Sequence, residues 1–292
     1  MCDENTVRDA DEYLRKSARL SRRRFSTLTA GAAVAMLLPQ AANAQKVIEA
    51  DVEVTTPDGV ADCYFVHPAT GKHPGVIVWP DVLGLRPAFR AMGKRLAESG
   101  YAVLVVNPYD RKAASPVASE GASFQDPAVR EAVMPLAMSL SATTNVTDAE
   151  AFVAFLDAQA AVDTGRGIGT TGYCMGGPMT MRTAAAIPHR IAAGASFHGG
   201  RLVTDGADSP HLLVPRMRAS YLFAIAENDD EQQPEAKTVL REAFAAAGLA
   251  AEIEVYEGAL HGWCPPDSRV YDEALAERAW ARLLTLFETA LA

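Results

Sequence analysis

Six short strand-like runs, separated by segments of helical character, constrain this chain more than any other feature. They are Gly75–Trp79, Tyr101–Val106, Ile168–Thr171, Ile191–Phe197, Tyr221–Ala226 and Ala251–Tyr256. Gly75–Trp79, bounded by Pro74 and Pro80, and Tyr101–Val106 are apolar throughout, as suits strands buried on both faces, and the other four also read as strands. The segments between them read as helices. Pro87–Ser99 carries Phe89, Met92, Leu96 and Ala97 at helical spacing and stops at Gly100. Thr147–Ala161, Pro178–Ala186, Pro234–Ala247 and Val270–Leu291 complete the set, the first with Asp148 and Glu150 in its opening turn. Strand–helix alternation implies an α/β fold, a mostly parallel sheet with helices on both faces. Val52–Thr55 and Asp62–Val66, joined by a turn at Pro57-Asp58-Gly59, read as an antiparallel edge. Residues 111–143, rich in Ala, Ser and Pro, read as a loop with short helices over the site. Neither an internal repeat nor an interdomain linker is visible, so residues 45–292 are expected to form one domain.

Residues 1–44 read as a separate export signal. Ser21-Arg22-Arg23-Arg24-Phe25 precedes an Ala-rich apolar run, Leu28–Leu38, followed by Pro39 and the small-x-small triplet Ala42-Asn43-Ala44. Basic, apolar and cleavable regions in that order form a secretory signal, and the arginine pair before Phe resembles the twin-arginine type. Cleavage is expected after Ala44, with delivery of a folded protein to the periplasm by the twin-arginine machinery. The run is far shorter than the ~20 residues a membrane span requires, so no stable anchor is expected. An amphipathic cytosolic helix with a chance arginine run is the bland alternative.

Of 27 Lys+Arg, 7 lie in the first 44 residues, and of 36 Asp+Glu, 5 do, which leaves the rest of the chain net negative by 11. Such a balance disfavours nucleic acid and anionic membranes as partners. Beyond Cys2, the cysteines are Cys63, Cys174 and Cys264, an odd number; a Cys63–Cys264 bridge is conceivable in the periplasm. There is no CxxC, and the six histidines are scattered, so neither metal nor cofactor is expected.

Gly172-Tyr173-Cys174-Met175-Gly176-Gly177 lies between an apolar strand and a helix. It fits the G-x-nucleophile-x-G elbow with Cys in the nucleophile position. The glycines relieve crowding at a sharp turn, and the following helix turns its N-terminus on the sulfur, favouring thiolate and oxyanion. An inert cysteine in a glycine-bounded turn is the bland alternative. Elbow nucleophiles need a base oriented by an acid, in the chain order nucleophile, acid, histidine. Tyr221–Ala226 runs into Glu227-Asn228-Asp229-Asp230, so Asp229 or Asp230 can be the acid. Gly258-Ala259-Leu260-His261-Gly262-Trp263 then presents His261 as the base. His189, His198 and His211 precede the acid; His198, at a strand end, can line a pocket but reads as structural, and His67 and His73 read as solvated. Backbone N–H groups of Met175 and of Val82, in Pro80-Asp81-Val82-Leu83-Gly84, are the candidate oxyanion donors.

The elbow, the Pro-Asp-Val-Leu-Gly-Leu loop and the Ala-Leu-His-Gly-Trp segment together resemble the dienelactone hydrolase family over about residues 50–290. The resemblance implies an α/β-hydrolase fold and a Cys174–Asp229–His261 triad, with Ala226-Glu227-Asn228-Asp229 matching the family's Gly-x-x-Asp register. It implies cleavage of a carboxylic ester or lactone through a thioester. Asp81 falls where the prototype has a glutamate beside the resting thiol. Arg111 and Trp263 are implied substrate contacts, and Pro265 stands where the prototype carries a second arginine. Two other function classes fit the same residues: a thiol redox enzyme or sensor using Cys174 with Cys264 as resolving partner, and a non-catalytic binding protein on a hydrolase scaffold. Oligomeric state is left open by the sequence.

Overall fold

The computed structural model describes residues 7–14, 38–39 and 44–292. The arginine run at 22–24 and the apolar run expected over 28–38, except Leu38, lie outside the described residues. A short helix over residues 7–14 (α1) precedes the main body.

Eight strands form one sheet in the order β1-β2-β4-β3-β5-β6-β7-β8. β1 (Val47–Thr56) and β2 (Gly59–Pro68) form the expected hairpin, and β2 also runs antiparallel to β4 (Ala102–Val106). From β4 onward every pairing is parallel, through β3 (Gly75–Trp79), β5 (Ile168–Tyr173), β6 (Ile191–Phe197), β7 (Ser220–Ala226) and β8 (Ala251–Tyr256). β1 begins five residues before its expected start and ends one residue late, and β2 begins three residues early and ends two late. β1 is an edge strand carrying Glu49, Asp51 and Glu53, mostly exposed. Charge on an edge blocks strand addition but erases the apolar pattern that marks a buried strand.

Side chains alternate across the sheet. Val76, Val78, Val103 and Val105 pack with α2 (Pro87–Glu98) and α8 (Glu273–Ala290) on one face. Ile77, Trp79, Leu104 and Val106 pack with α4 (Ala142–Asp157), α5 (Gly176–Ala186) and α7 (Ala236–Ala246) on the other. Burial on both faces accounts for the uninterrupted apolar runs.

Three helices differ from the reading of the sequence. α4 starts at Ala142, five residues early, because Ser141 and Thr144 form a reciprocal capping box. Asp148 is therefore an interior residue of α4, buried and paired with Arg111, rather than a first-turn acid. α3 (Pro127–Met138), capped by Asp126, stands in the segment expected to be loop and short helices. α6 (Glu227–Gln232) forms directly after β7, in a segment for which no helix was expected.

The strand order reverses direction around β3. The helix after β3 returns toward β4 and the helix after β5 leads away toward β6, so a crevice opens at the carboxyl ends of β3 and β5. Among the described residues no helix is long and apolar enough to cross a membrane.

Candidate active site

The crevice is headed by the elbow. Cys174, between β5 and α5, has φ 53°, a left-handed conformation that a non-glycine residue adopts only under constraint. Close backbone approach supplies that constraint. A Cβ on Gly172 would fall 2.1 Å from the Gly176 carbonyl oxygen, and one on Gly176 would fall 2.3 Å from the Trp79 carbonyl oxygen. The Cys174 N–H is tied to the Phe197 carbonyl at 3.0 Å. Cys174 is 2% exposed and sits at the head of α5, whose positive end favours a thiolate.

His261 lies in the loop after β8, between Gly258 (φ 81°) and Gly262 (φ 98°). Its Nδ1 is 2.9 Å from each carboxylate oxygen of Asp229. Its side chain also hydrogen-bonds Cys174. With Nδ1 held by Asp229, Nε2 is the nitrogen left for sulfur. Asp230 turns the other way and pairs with Lys237 at 2.5 Å. Of the two acids left open by the sequence, Asp229 is the one on the imidazole. Asn228 fixes the loop, its Oδ1 accepting the His261 backbone N–H at 2.9 Å.

Burial acts to lower the His261 pKa. The Asp229 carboxylate, the Cys174 sulfur and hydrogen bonds to both outweigh it, and the pKa is raised to about 10. The same attraction, read from the sulfur, favours the thiolate.

Cys174, His261, Val82 and Asp81 line one cavity of about 60 Å³, together with Ser123 and Phe124 from the segment before α3. The expectation that residues 111–143 cover the site holds in this respect. Val82 and Met175 flank the elbow, and the Tyr109 hydroxyl bridges them, 2.9 Å from the Val82 carbonyl oxygen and 3.3 Å from the Met175 Sδ.

Asp81 reaches the cavity wall, but its oxygens are engaged. Arg86 donates to Oδ1 at 2.6 Å and to Oδ2 at 2.9 Å, and the Leu83 N–H also binds Oδ1. Arg86 simultaneously grips Asp267 at 2.6 and 3.0 Å. Burial pushes the Asp81 carboxyl up, against the pull of Arg86. Asp81 is thus a clamped wall carboxylate, and the thiol's hydrogen-bonding partner is His261.

Two candidate substrate contacts are corrected. Arg111 does not line the cavity; it grips Asp58 at 2.7 and 2.9 Å and Asp148 at 2.6 and 2.8 Å, tying the β1–β2 turn to α4. Trp263 is fully buried beneath the cavity, stacked on Tyr256 at 5.3 Å and edge-on to His198 at 5.2 Å, so no ligand reaches it. The Cys63–Cys264 bridge does not form: both thiols are free and belong to cores on opposite faces of the sheet.

His198, read from sequence as structural, lines the cavity. It is 1% exposed, adopts φ 40°, and its ring centroid is 5.0 Å from that of His261. Among the described residues neither ring nitrogen has a hydrogen-bond partner. Its place at the end of β6, the strand paired with the one that carries the elbow, was the available signal. Arg86 and Arg269 were also missed. Arg269 is an exposed cation at the cavity edge. Neither has a motif of its own in the sequence. Among the described residues there is no cluster of side chains able to hold a metal ion.

The sequence pattern of the dienelactone hydrolase family matches residues 61–291. The chain belongs to the dienelactone hydrolase family. As a member it is a hydrolase of the ester- and lactone-cleaving class. A Methylorubrum extorquens protein provisionally called a carboxymethylenebutenolidase is 28% identical over 252 residues, spanning 85% of this chain and 83% of its own length. The carboxymethylenebutenolidase of Rhodococcus opacus is 25% identical over 226 residues, spanning 75% and 82%. A crystal structure from Klebsiella pneumoniae subsp. pneumoniae, provisionally called a dienelactone hydrolase, superposes with a TM-score of 0.72 at 22% identity, covering 84% of this chain and all of that one. That likeness establishes the shared α/β-hydrolase fold.

Proposed function

We propose that this dienelactone hydrolase family member cleaves a small carboxylic ester or lactone with Cys174 as nucleophile, His261 as base and Asp229 as the acid that orients it. The observation that carries the reading is the His261 ring, which joins Asp229 through Nδ1 and Cys174 through its other side.

In the resting site the proton sits on His261 and the charge on sulfur. The thiolate attacks the carbonyl carbon, and its oxygen becomes an oxyanion between the N–H groups of Met175 and Val82. Each such donor contributes about 3 kcal/mol. Collapse breaks the C–O bond, and imidazolium His261 delivers its proton to the leaving alkoxide or enolate. Neutral His261 then takes a proton from water as the hydroxide adds to the thioester. The second collapse expels the Cys174 thiolate and releases the acid, restoring the ion pair. Net consumption is one ester or lactone bond and one water.

The test is Cys174→Ala in the purified protein, assayed on aryl esters and lactones. Turnover should vanish while the circular dichroism spectrum and Tm are kept. Turnover at the wild-type rate would overturn the reading. The signal read over residues 21–44 supports export to the periplasm. Replacing Arg22, Arg23 and Arg24 by lysine should hold the protein in the cytoplasm, as cell fractionation would show; unchanged export would refute the route.

A further inference from the structure

A second cavity lies on the far side of Met175 from the nucleophile. Its volume is about 470 Å³, within the usual range for small-molecule sites, and α3, the start of α4, α5 and the segment after β6 enclose it. Met175 contributes its side chain to the wall, while Cys174 and His261 take no part in it.

Part of the polar lining is left without partners in the fold. Asn145, on the first turns of α4, is 2% exposed, yet neither its Oδ1 nor its Nδ2 has a hydrogen-bond partner among the described residues. Buried amides are satisfied in folded proteins, and an orphan costs stability. Arg182, on α5, leaves its buried Nε without a partner as well. Arg201 holds φ 59°, a left-handed backbone rare outside glycine, at the same cavity. Among the described residues neither arginine makes an ion pair, whereas the buried Arg86 and Arg95 both do. The desolvated Arg182 guanidinium has its pKa lowered, with only Asp208 acting to raise it.

The remaining wall is apolar and adaptable. Met134, Met138 and Met179 face the cavity, and Met138 is 76% exposed at its mouth. Methionine surfaces accommodate varied aliphatic shapes. Two cations against the single carboxylate of Asp208 leave one net positive charge, and the α4 N-terminus at Ser141–Ala142 adds a partial one. An Asn amide offers both a donor and an acceptor beside them.

We propose that this cavity is a second binding site, for a small monocarboxylate with an aliphatic chain. Its head engages Arg182, Arg201 and Asn145, and its chain lies along the methionines. Nothing in this requires the ester chemistry at Cys174, so the two readings fail separately.

Isothermal titration calorimetry of the full chain with octanoate tests it. One equivalent should bind. Arg182→Gln should weaken binding at least tenfold, whereas Arg269→Gln, at the edge of the catalytic cavity, should leave it unchanged. Asn145→Leu should lose octanoate while raising Tm, because it removes an unsatisfied buried amide. Octyl phosphate and 1-octanol, one charge too many and one too few, should bind more weakly. The proposal is overturned if octanoate does not bind, if Arg182→Gln binds as wild type, if Arg269→Gln is the variant that loses binding, or if octyl phosphate or octanol binds more tightly than octanoate.

Discussion

The Tyr109 hydroxyl donates to the carbonyl of Val82 at 2.9 Å, and so a residue in the turn just after β4 sets the position of a loop that follows β3. Tyr109 is 1% exposed, and its own N–H is held by Asn107 Oδ1 at 2.9 Å. The bond fixes the peptide on one side of the candidate oxyanion site without touching substrate. Tyr109→Phe keeps the ring and removes the hydroxyl. A neutral hydrogen bond is worth about 1 kcal/mol, which is roughly fivefold in rate if it is expressed only in the transition state. Steady-state kinetics on an aryl ester should therefore show kcat down about fivefold with KM unchanged. A rise in KM at constant kcat would mean that Tyr109 shapes the pocket rather than the oxyanion site.

Asp229 and the Cys174 sulfur both favour the protonated form of His261 and, against burial, hold its pKa above the ordinary imidazole value. Asp229→Asn removes one of these two anions and the fixed tautomer. Alkylation of Cys174 by iodoacetamide should then slow markedly at pH 6, where an ordinary thiol is protonated, and slow far less at pH 9. Ester turnover should fall about 10²–10⁴-fold, the usual worth of positioned acid–base chemistry. Mass spectrometry of the labelled residue gives the rate. Equal labelling of both proteins at pH 6 would show that Asp229 does not sustain the ion pair.

His198 offers a stability test with a definite sign. Burial first, and the neighbouring His261 second, lower its pKa from 6.5 to about 3. Between these values the unfolded chain binds a proton that the folded chain refuses, so stability falls as pH drops from about 6.5 toward 3. The slope from one such group is about 1.4 kcal/mol per pH unit. His198→Phe, which keeps the aromatic contact with Trp263, should remove that component. Urea unfolding at pH 7, 6 and 5 should give a smaller loss for the variant than for wild type. Parallel curves would show that His198 is charged in the fold or already neutral when unfolded.

The sequence carried the central sheet well because β3, β4, β6 and β7 are buried, with side chains packed from both faces. Burial of that kind leaves an uninterrupted apolar run. The edge strand β1 and the polar helix α6 left no such trace, since solvent imposes no apolar pattern on Glu49, Asp51 or Glu227–Gln232. In the site, Cys174 and His261 were legible from local glycine chemistry, the close contacts at Gly172 and the positive φ of Gly258 and Gly262. Arg111 was misplaced because its partners, Asp58 and Asp148, are 53 and 37 residues away. Arg86 was overlooked for the same cause, with Asp267 lying 181 residues on. Long-range charge pairing of this sort has no sequence period.

The helix over residues 7–14 lies against the candidate catalytic cavity. Val7 lines the cavity that holds Cys174, and Ala10 is 2% exposed. Asp9 accepts from Asn228 Nδ2 at 3.1 Å and from Gln232 Nε2 at 3.4 Å, both on α6 beside Asp229. Asn228 is also the residue that holds the His261 loop. A segment docked there must be displaced before substrate enters, and its docking free energy lowers the competent fraction of the protein. If that energy is about 1.4 kcal/mol, the competent fraction is roughly a tenth. A protein starting at Gln45 should therefore show kcat/KM about tenfold above that of residues 1–292, chiefly through a lower KM. Asp9→Ala in the full chain should recover part of the difference, because it removes the polar anchor while leaving Val7 in place. Steady-state kinetics on one aryl ester compares the three proteins. Equal kcat/KM in all of them would show that the 7–14 segment does not obstruct the cavity in solution.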